Sequence, residues 1–236
     1  MDNEETNTTA APPSTPGPLL VFILGAPCSG KSTLSAALST RHNLTPFSLG
    51  ADLRSLVSPH PTGAALRIAP LFSAAELASF RAHLHTGTLG PAHLAARYVG
   101  ARVFPAGCDP TRVRMVVDGF PRDAGRWGAF KGVVEPVWRP GEGGVLVVLD
   151  VERGVARERF VRRGRAGDVF ERRFDEHVEL VEGVVQAMGR DGVKVWRVRG
   201  GEELQAVVQR LGAFLGEEVG AEGGLEGTRL EASESP

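Results

Sequence analysis

Gly25-Ala26-Pro27-Cys28-Ser29-Gly30-Lys31-Ser32 follows the pattern G-x-x-x-x-G-K-[ST], in which each residue type has a task in holding a phosphate chain. Glycines let the backbone curl and turn successive N–H groups inward as an anion nest. A helix N-terminus adds unpaired N–H groups and partial positive charge. Lys31 would reach the β- and γ-phosphates, and the Ser32 hydroxyl would ligate Mg²⁺. The flanks agree: Leu19–Leu24 is a short apolar run of buried-strand character, and Thr33-Leu34-Ser35-Ala36-Ala37-Leu38 reads as helix. A plain Gly/Ser turn is the alternative in a chain with 30 glycines. Lysine is scarce, however, the others being Lys131 and Lys194, and one stands at the chemical position.

A second constellation is Val116-Val117-Asp118-Gly119-Phe120-Pro121-Arg122. An acid at a strand end beside a phosphate loop can hold Mg²⁺ through the ion's water shell. Gly119 and Pro121 shape a tight turn, and Arg122 is the donor best suited to bidentate phosphate contact. A third is the run of Arg153, Arg157, Arg159, Arg162, Arg163, Arg165, Arg172 and Arg173. Arg159 and Arg163 share a helix face. Three or four functional arginines are expected here, the rest being a solvated face partly neutralised by Glu152, Glu158 and Glu171. A nucleic-acid patch fits less well, because the stretch has few interleaved aromatics to stack bases.

The elements that must position these residues alternate along the chain. Strands are expected at Leu19–Leu24, Thr45–Leu49, Val113–Val117, Val145–Leu149 and Val193–Val198, with helices between them. Ser73-Ala74-Ala75-Glu76 is a capping box opening a helix toward His85. Leu204, Val207, Val208 and Leu211 form one apolar helical stripe. Phe170, Phe174, Val178, Val181, Val185 and Met188 form a longer one, and both are expected to be core. The pattern implies an α/β fold, a three-layer doubly wound sheet of five parallel strands. Ligands gather at the carboxyl ends of such strands. Residues 51–104, Ala/Leu-rich and too long for a simple crossover, are expected to form a helical insert on the substrate side.

The 236 residues suffice for one such domain with an insert. A net charge of −1 argues against a general nucleic-acid surface. Two cysteines, Cys28 and Cys108, make neither a disulfide framework nor a zinc site, and the six histidines lack metal-ligand spacing. No apolar run reaches membrane-spanning length, and the acidic, polar start is unlike a secretory or mitochondrial leader. Residues 1–18 and 217–236 are expected to be disordered tails around a domain at 19–216. The expected location is the cytoplasm, with the nucleus also open.

Together the motifs resemble the adenylate kinase-like nucleoside monophosphate kinases, a family of P-loop NTPases, and are most similar to the short-lid uridylate–cytidylate kinase type. Gly25–Ser32 and Asp118-Gly119-Phe120-Pro121-Arg122 carry the resemblance. Ser48-Leu49-Gly50-Ala51-Asp52-Leu53-Arg54, Gly87-Thr88-Leu89-Gly90-Pro91 and the Arg159–Asp168 stretch match more loosely. The resemblance spans about Leu19 to Leu215. It implies Mg-ATP on Gly25–Thr33, with Arg163 added from the lid. The acceptor would be a monophosphate (UMP, CMP or AMP) near Ser48, Arg54, Gly119, Arg122 and Arg126. Lys31, Arg122, Arg159, Arg165, Arg173 and Asp118 would serve catalysis. It also implies a monomer, with no nucleic-acid or membrane partner, and a short Arg-rich lid at 163–169. The chain departs from the family at Cys28 and Ala51, where glycine and aspartate are usual. It departs again at Arg126, where the family has a base-reading amide, and in its clipped lid and long insert. Two other readings stay open: a kinase of a different small acceptor, and a nucleotide-binding protein with little or no transfer activity.

Overall fold

The protein is described here by a computed structural model covering residues 17–164 and 170–218. In chain order the elements are β1 (Leu19–Gly25), α1 (Lys31–His42), β2 (Thr45–Ser48), α2 (Leu49–Leu56), α3 (Gly63–Ile68), α4 (Ala74–Thr86) and α5 (Ala92–Val103). Then follow β3 (Arg114–Asp118), α6 (Ala124–Val134), β4 (Gly144–Asp150), α7 (Arg153–Arg163), α8 (Phe170–Arg190), β5 (Lys194–Arg199) and α9 (Leu204–Glu218). The strands pair in parallel in the order β2-β3-β1-β4-β5. Each expected strand is found with its ends shifted by one residue at most.

Period-two alternation builds the layers. Leu20, Phe22 and Leu24 of β1 enter one core with Trp127 and Phe130 of α6 and Val184 and Met188 of α8. Leu19, Val21 and Ile23 enter the other with Leu34 and Leu38 of α1 and Val207 and Leu211 of α9. Apolar burial on both faces is what a central parallel strand requires. Phe22 sits edge-on to Trp127, with ring centroids 5.6 Å apart. Such pairs add about 0.5–1.5 kcal/mol beyond burial. Trp127 also donates to Asp191 at 2.8 Å, and Lys131 pairs with the same carboxylate at 2.8 Å. These bonds pin α6 to the turn before β5.

Helices α2 to α5 form the stretch between β2 and β3. Ser73 caps α4 as expected: the Ser73 N–H donates to Glu76 at 2.8 Å, and the Glu76 N–H donates back to the Ser73 hydroxyl at 3.3 Å. The carboxylate of Asp52 accepts from Arg102 at 3.2 Å and from Tyr98 at 3.3 Å, which ties α2 to α5. Burial, then the Asp52 charge, drives the Tyr98 hydroxyl above its usual pKa. Asp52 is thereby committed to holding the helices together.

Two element bounds and one core residue differ from the expectation. The helical segment starts at Leu49 rather than 51. Helix α9 runs through Glu218, past the expected start of the second tail. Val178 is 55% exposed, so it leaves the core stripe of α8 that Phe170, Phe174, Val181 and Met188 do form. Residues 1–16, 165–169 and 219–236, which hold most of both expected tails and of the lid, lie outside the described residues. Among the described residues no helix is long and apolar enough to cross a membrane.

Candidate active site

The carboxyl ends of β1, β2 and β3 bring the motifs together. Register places Ser48 opposite Asp118, Ile23 opposite Asp118, and Gly25 opposite Leu149. A Cβ on Gly25 would lie 2.5 Å from the Ser29 hydroxyl and 3.0 Å from the Leu149 carbonyl, so only glycine lets the loop leave the sheet here. Gly30 has φ 104° and precedes the first residue of α1, whose N-terminus carries no side-chain cap. Those N–H groups stay available to an anion. The Lys31 ammonium folds back over the loop and donates to the carbonyls of Gly25 at 2.7 Å and Ala26 at 2.8 Å. Burial lowers its pKa to about 8; Asp118 opposes the drop, while Arg122 and Arg173 add to it.

Cys28 sits in the left-handed region at φ 61°, a conformation that favours glycine. A side chain there costs roughly 1–2 kcal/mol. Cys28→Gly is therefore expected to stabilise the fold by about 1 kcal/mol, a smaller gain than the strain because glycine also loosens the unfolded chain. Denaturant unfolding of the two proteins checks it.

Asp118 is 8% exposed at the end of β3. One of its oxygens accepts from the Ser32 hydroxyl at 3.4 Å, and the other, Oδ1, has no hydrogen-bond partner among the described residues. Burial raises its pKa, against the pull of Lys31, Ser32 and Arg122. A buried carboxylate with an unpaired oxygen beside a serine hydroxyl is an all-oxygen donor set suited to a hard divalent cation. The ionised acid disfavours the free fold once pH passes the ordinary carboxylate pKa, and stability returns as pH falls. Asp118→Asn is accordingly expected to leave the melting temperature unchanged or higher, and to weaken Mg²⁺-dependent nucleotide binding roughly tenfold. Scanning calorimetry reads the first effect, and calorimetric titration with and without Mg²⁺ reads the second.

Gly119, with φ 83°, and the cis Phe120-Pro121 bond carry the chain from β3 to Arg122. Arg122 opens into the cleft and makes no hydrogen bond or ion pair among the described residues. Protein crowds its other sides. Burial and then Arg173 lower its pKa, and it stays charged.

Three of the cavities adjoin the loop or Arg122. The first is lined by Gly25, Pro27, Lys31, Gly119, Arg122 and Arg173, with Glu176 and His177 of α8. The second lies on the other side of the loop, between Cys28, Ser29, Gly30 and Thr33, Arg159 and Arg163 of α7, and the turn Arg199-Gly200-Gly201-Glu202. The third runs under the insert, between Leu49, Leu53, Phe80, His83, Thr88 and Pro91, with Arg122 and Arg126 at one end. Arg122 is shared by the first and third cavities.

The arginine run divides by partner. Arg153 pairs with Glu171 and Asp175, Arg157 with Glu171, and Arg162 with Glu158, all on the exposed surface. Arg172 donates to the carbonyls of Thr86 and Gly87 at 3.1 and 3.0 Å, bridging α8 to the end of α4. Arg159 approaches the Cys28 carbonyl at 3.5 Å, and Arg163 lies 4.0 Å from the Cys28 sulfur. Arg126 faces the third cavity, but its guanidinium is engaged by the Asp123 carboxylate and the Gly90 carbonyl. Arg54 is exposed on α2 and lines none of the three cavities. Arg165 lies outside the described residues.

Sequence reasoning missed Glu176, His177 and the Arg199–Glu202 turn. The available signal was spacing: Glu176 and His177 lie three and four positions after Arg173, on one helix face. Burial pushes the His177 pKa down to about 4, helped by the charge of Lys31, so the ring is neutral at pH 7.

A parallel sheet of order 2-3-1-4-5 with helices on both faces, and a glycine loop running from β1 into α1, defines the P-loop NTPase kinase type of fold. No protein-family model matches the chain. It is similar to a protein named adenylate kinase from Synechococcus sp. (strain CC9311), at 27% identity over 198 residues, covering 83% of this chain and 97% of that protein. It is also similar to adenylate kinase 9 of Mus musculus, at 29% identity over 105 residues, or 44% of this chain. That match spans only 5% of the mouse protein. Both likenesses support an adenylate kinase-like phosphotransferase family for this chain.

Proposed function

We propose that this chain is an ATP-dependent nucleoside monophosphate kinase that moves the γ-phosphoryl group of ATP to AMP, CMP or UMP, giving two diphosphates. One observation carries the reading. Lys31, Arg122 and Arg173 meet in one cavity, where burial lowers the pKa of both Lys31 and Arg122 and repulsion by neighbouring guanidiniums adds to the drop. Two phosphate chains entering from opposite sides would relieve that repulsion. The relatives' names supply the nucleotide class.

In this reading the donor nucleoside lies in the second cavity, with its phosphates on Gly25–Thr33, and Arg159 and Arg163 lie over it. The monophosphate occupies the third cavity, its phosphate on Arg122. An acceptor phosphate oxygen attacks the γ-phosphorus in line; the new P–O bond forms as the bond to the β-phosphate oxygen breaks. The attacking oxygen is already anionic, so no general base is needed. Charge spread over the moving group is met by Lys31, Arg122 and Arg173. Ser32 and Asp118 fit a Mg²⁺ ion, which when bound neutralises charge on the donor phosphates. Arg54 approaches the acceptor phosphate only if the insert swings inward. Closure over the nucleotides would keep water from the γ-phosphate.

The left-handed Cys28 favours a second reading, a nucleotide-binding protein without transfer, because a strained loop holds its N–H groups less well. A coupled assay with Mg-ATP and a panel of monophosphates separates the two. Turnover with any of the three acceptors supports the kinase; tight ATP binding with no turnover supports the alternative.

A further inference from the structure

Thr88, Leu89, Gly90 and Pro91, in the turn between α4 and α5, form one wall of the third cavity. Two arginines from outside the insert grip this turn by its carbonyls. Arg126 of α6 donates to the Gly90 carbonyl, and Arg172 of α8 donates to the carbonyls of Thr86 and Gly87 at 3.1 and 3.0 Å. A guanidinium only donates and a carbonyl only accepts, so the direction of each bond is fixed. Thr86 is the last residue of α4 and Gly87 its C-cap, where a helix presents partial negative charge to a cation. The approach needs glycine: Gly87 has φ 64°, and a Cβ there would lie 2.9 Å from Arg172 Nη2.

The two grips differ. Arg126 is only 12% exposed and is paired with Asp123, so the Gly90 end of the turn is built into the body of the domain. Arg172 is exposed and reaches α4 from the first turn of α8. That same helical turn is seated on the donor side. Phe170 and Phe174 share a face of α8 and pack with Ala26 of the phosphate loop and Ala156 of α7. Phe160, next to Arg159, rests on Phe170 with ring centroids 5.2 Å apart. Arg173 lines the first cavity beside Lys31. The start of α8 therefore touches the donor loop through its phenylalanines and the acceptor wall through Arg172.

We propose that Arg172 couples the two nucleotide sites, as a positioning residue through which a donor on the phosphate loop steadies the wall of the acceptor cavity. This rests on reading the third cavity as the monophosphate pocket. Two states are involved: one linked, with Arg172 on Thr86 and Gly87, and one with the end of α4 released. Donor phosphates on Lys31 and Arg173 fix the first turn of α8 and favour the linked state. A monophosphate against Thr88–Pro91 favours the same state. Ligands that favour one state tighten each other's binding, by the same factor in each direction.

The test is equilibrium titration of the full chain with AMP, CMP and UMP, with and without a non-hydrolysable Mg-ATP analogue, and the reciprocal titration of the analogue. In the wild type the analogue should tighten the bound monophosphate about fivefold or more, and the reciprocal factor should match. Arg172→Ala should bring both factors near one, with the affinity for the analogue alone unchanged. Arg172→Met replaces it if the alanine variant does not fold. Arg172→Lys should keep part of the coupling, because an ammonium also donates to carbonyls. Arg162→Ala, which removes only an exposed pair with Glu158, should keep all of it. Monophosphate binding without coupling in the wild type, or coupling that survives loss of the Arg172 guanidinium, overturns the proposal alone. No monophosphate binding at all overturns both the proposal and the acceptor reading of the cavity. Coupling without turnover supports the proposal and retires only the kinase reading.

Discussion

Replacing Lys31 with methionine is expected to lower turnover with Mg-ATP and a monophosphate by roughly a hundred- to a thousandfold, while the nucleotide-free protein melts at a higher temperature than wild type. The two effects share one cause. Lys31 is held among protein atoms and two other cations, and its pKa falls from 10.5 to about 8. That shift corresponds to a cost of up to about 3 kcal/mol for keeping the ammonium charged in the free fold. Methionine keeps the apolar stem and removes the charge, at the expense of bonds to the Gly25 and Ala26 carbonyls. The sign is checkable by pH. Because the folded pKa is the lower one, the free protein binds fewer protons than the unfolded chain between pH 8 and 10.5, and stability rises across that window. Nucleotide affinity moves the other way. It is flat below about pH 7 and falls up to about tenfold per unit above pH 8, as the phosphate must first recharge the amine. Lys31→Met abolishes both slopes. Calorimetry for melting and equilibrium titration of ATP at pH 7, 8 and 9 measure them.

Arg122→Ala is expected to reduce kcat/KM for the acceptor by roughly a thousandfold or more, with ATP affinity changed far less. Arg122 lines both the first and third cavities, so it faces each phosphate chain in the proposed complex. It makes no hydrogen bond among the described residues, which keeps structural damage small. Arg122→Lys should recover only a minor part of the loss, because an ammonium cannot span two phosphate oxygens as a guanidinium fork does. By contrast, Arg153→Ala and Arg162→Ala remove exposed ion pairs with Glu171, Asp175 and Glu158 and should leave kinetics near wild type. Steady-state kinetics on the four variants make the comparison.

Much of the framework was legible because its signals are local. The three central strands are short buried apolar runs between polar turns, and all five strands could be bounded to a residue. The glycine loop and the Ser73 cap depend on neighbours within a few positions. What was not legible depends on packing between distant segments. Nothing near Asp52 announces Tyr98 and Arg102, which turn it into a brace between α2 and α5. Spacing alone cannot divide Arg159 from Arg162, since the division is made by Cys28 and by Glu158. Arg126 lies where a base reader was sought, yet it is engaged by a residue three positions away and by a carbonyl of the insert. Val178 fits an apolar period and still faces outward, because α8 turns that edge toward a groove beside Asp150 and Arg199.

The central claim is that one phosphoryl group passes directly between two nucleotides held on either side of Lys31. Phosphorus NMR of the protein with Mg-ATP and CMP or AMP tests it in a single spectrum series. Loss of the γ-signal is expected, with two nucleoside diphosphates appearing in equal amounts and no inorganic phosphate. Unchanged ATP, or inorganic phosphate released without a second diphosphate, would contradict it.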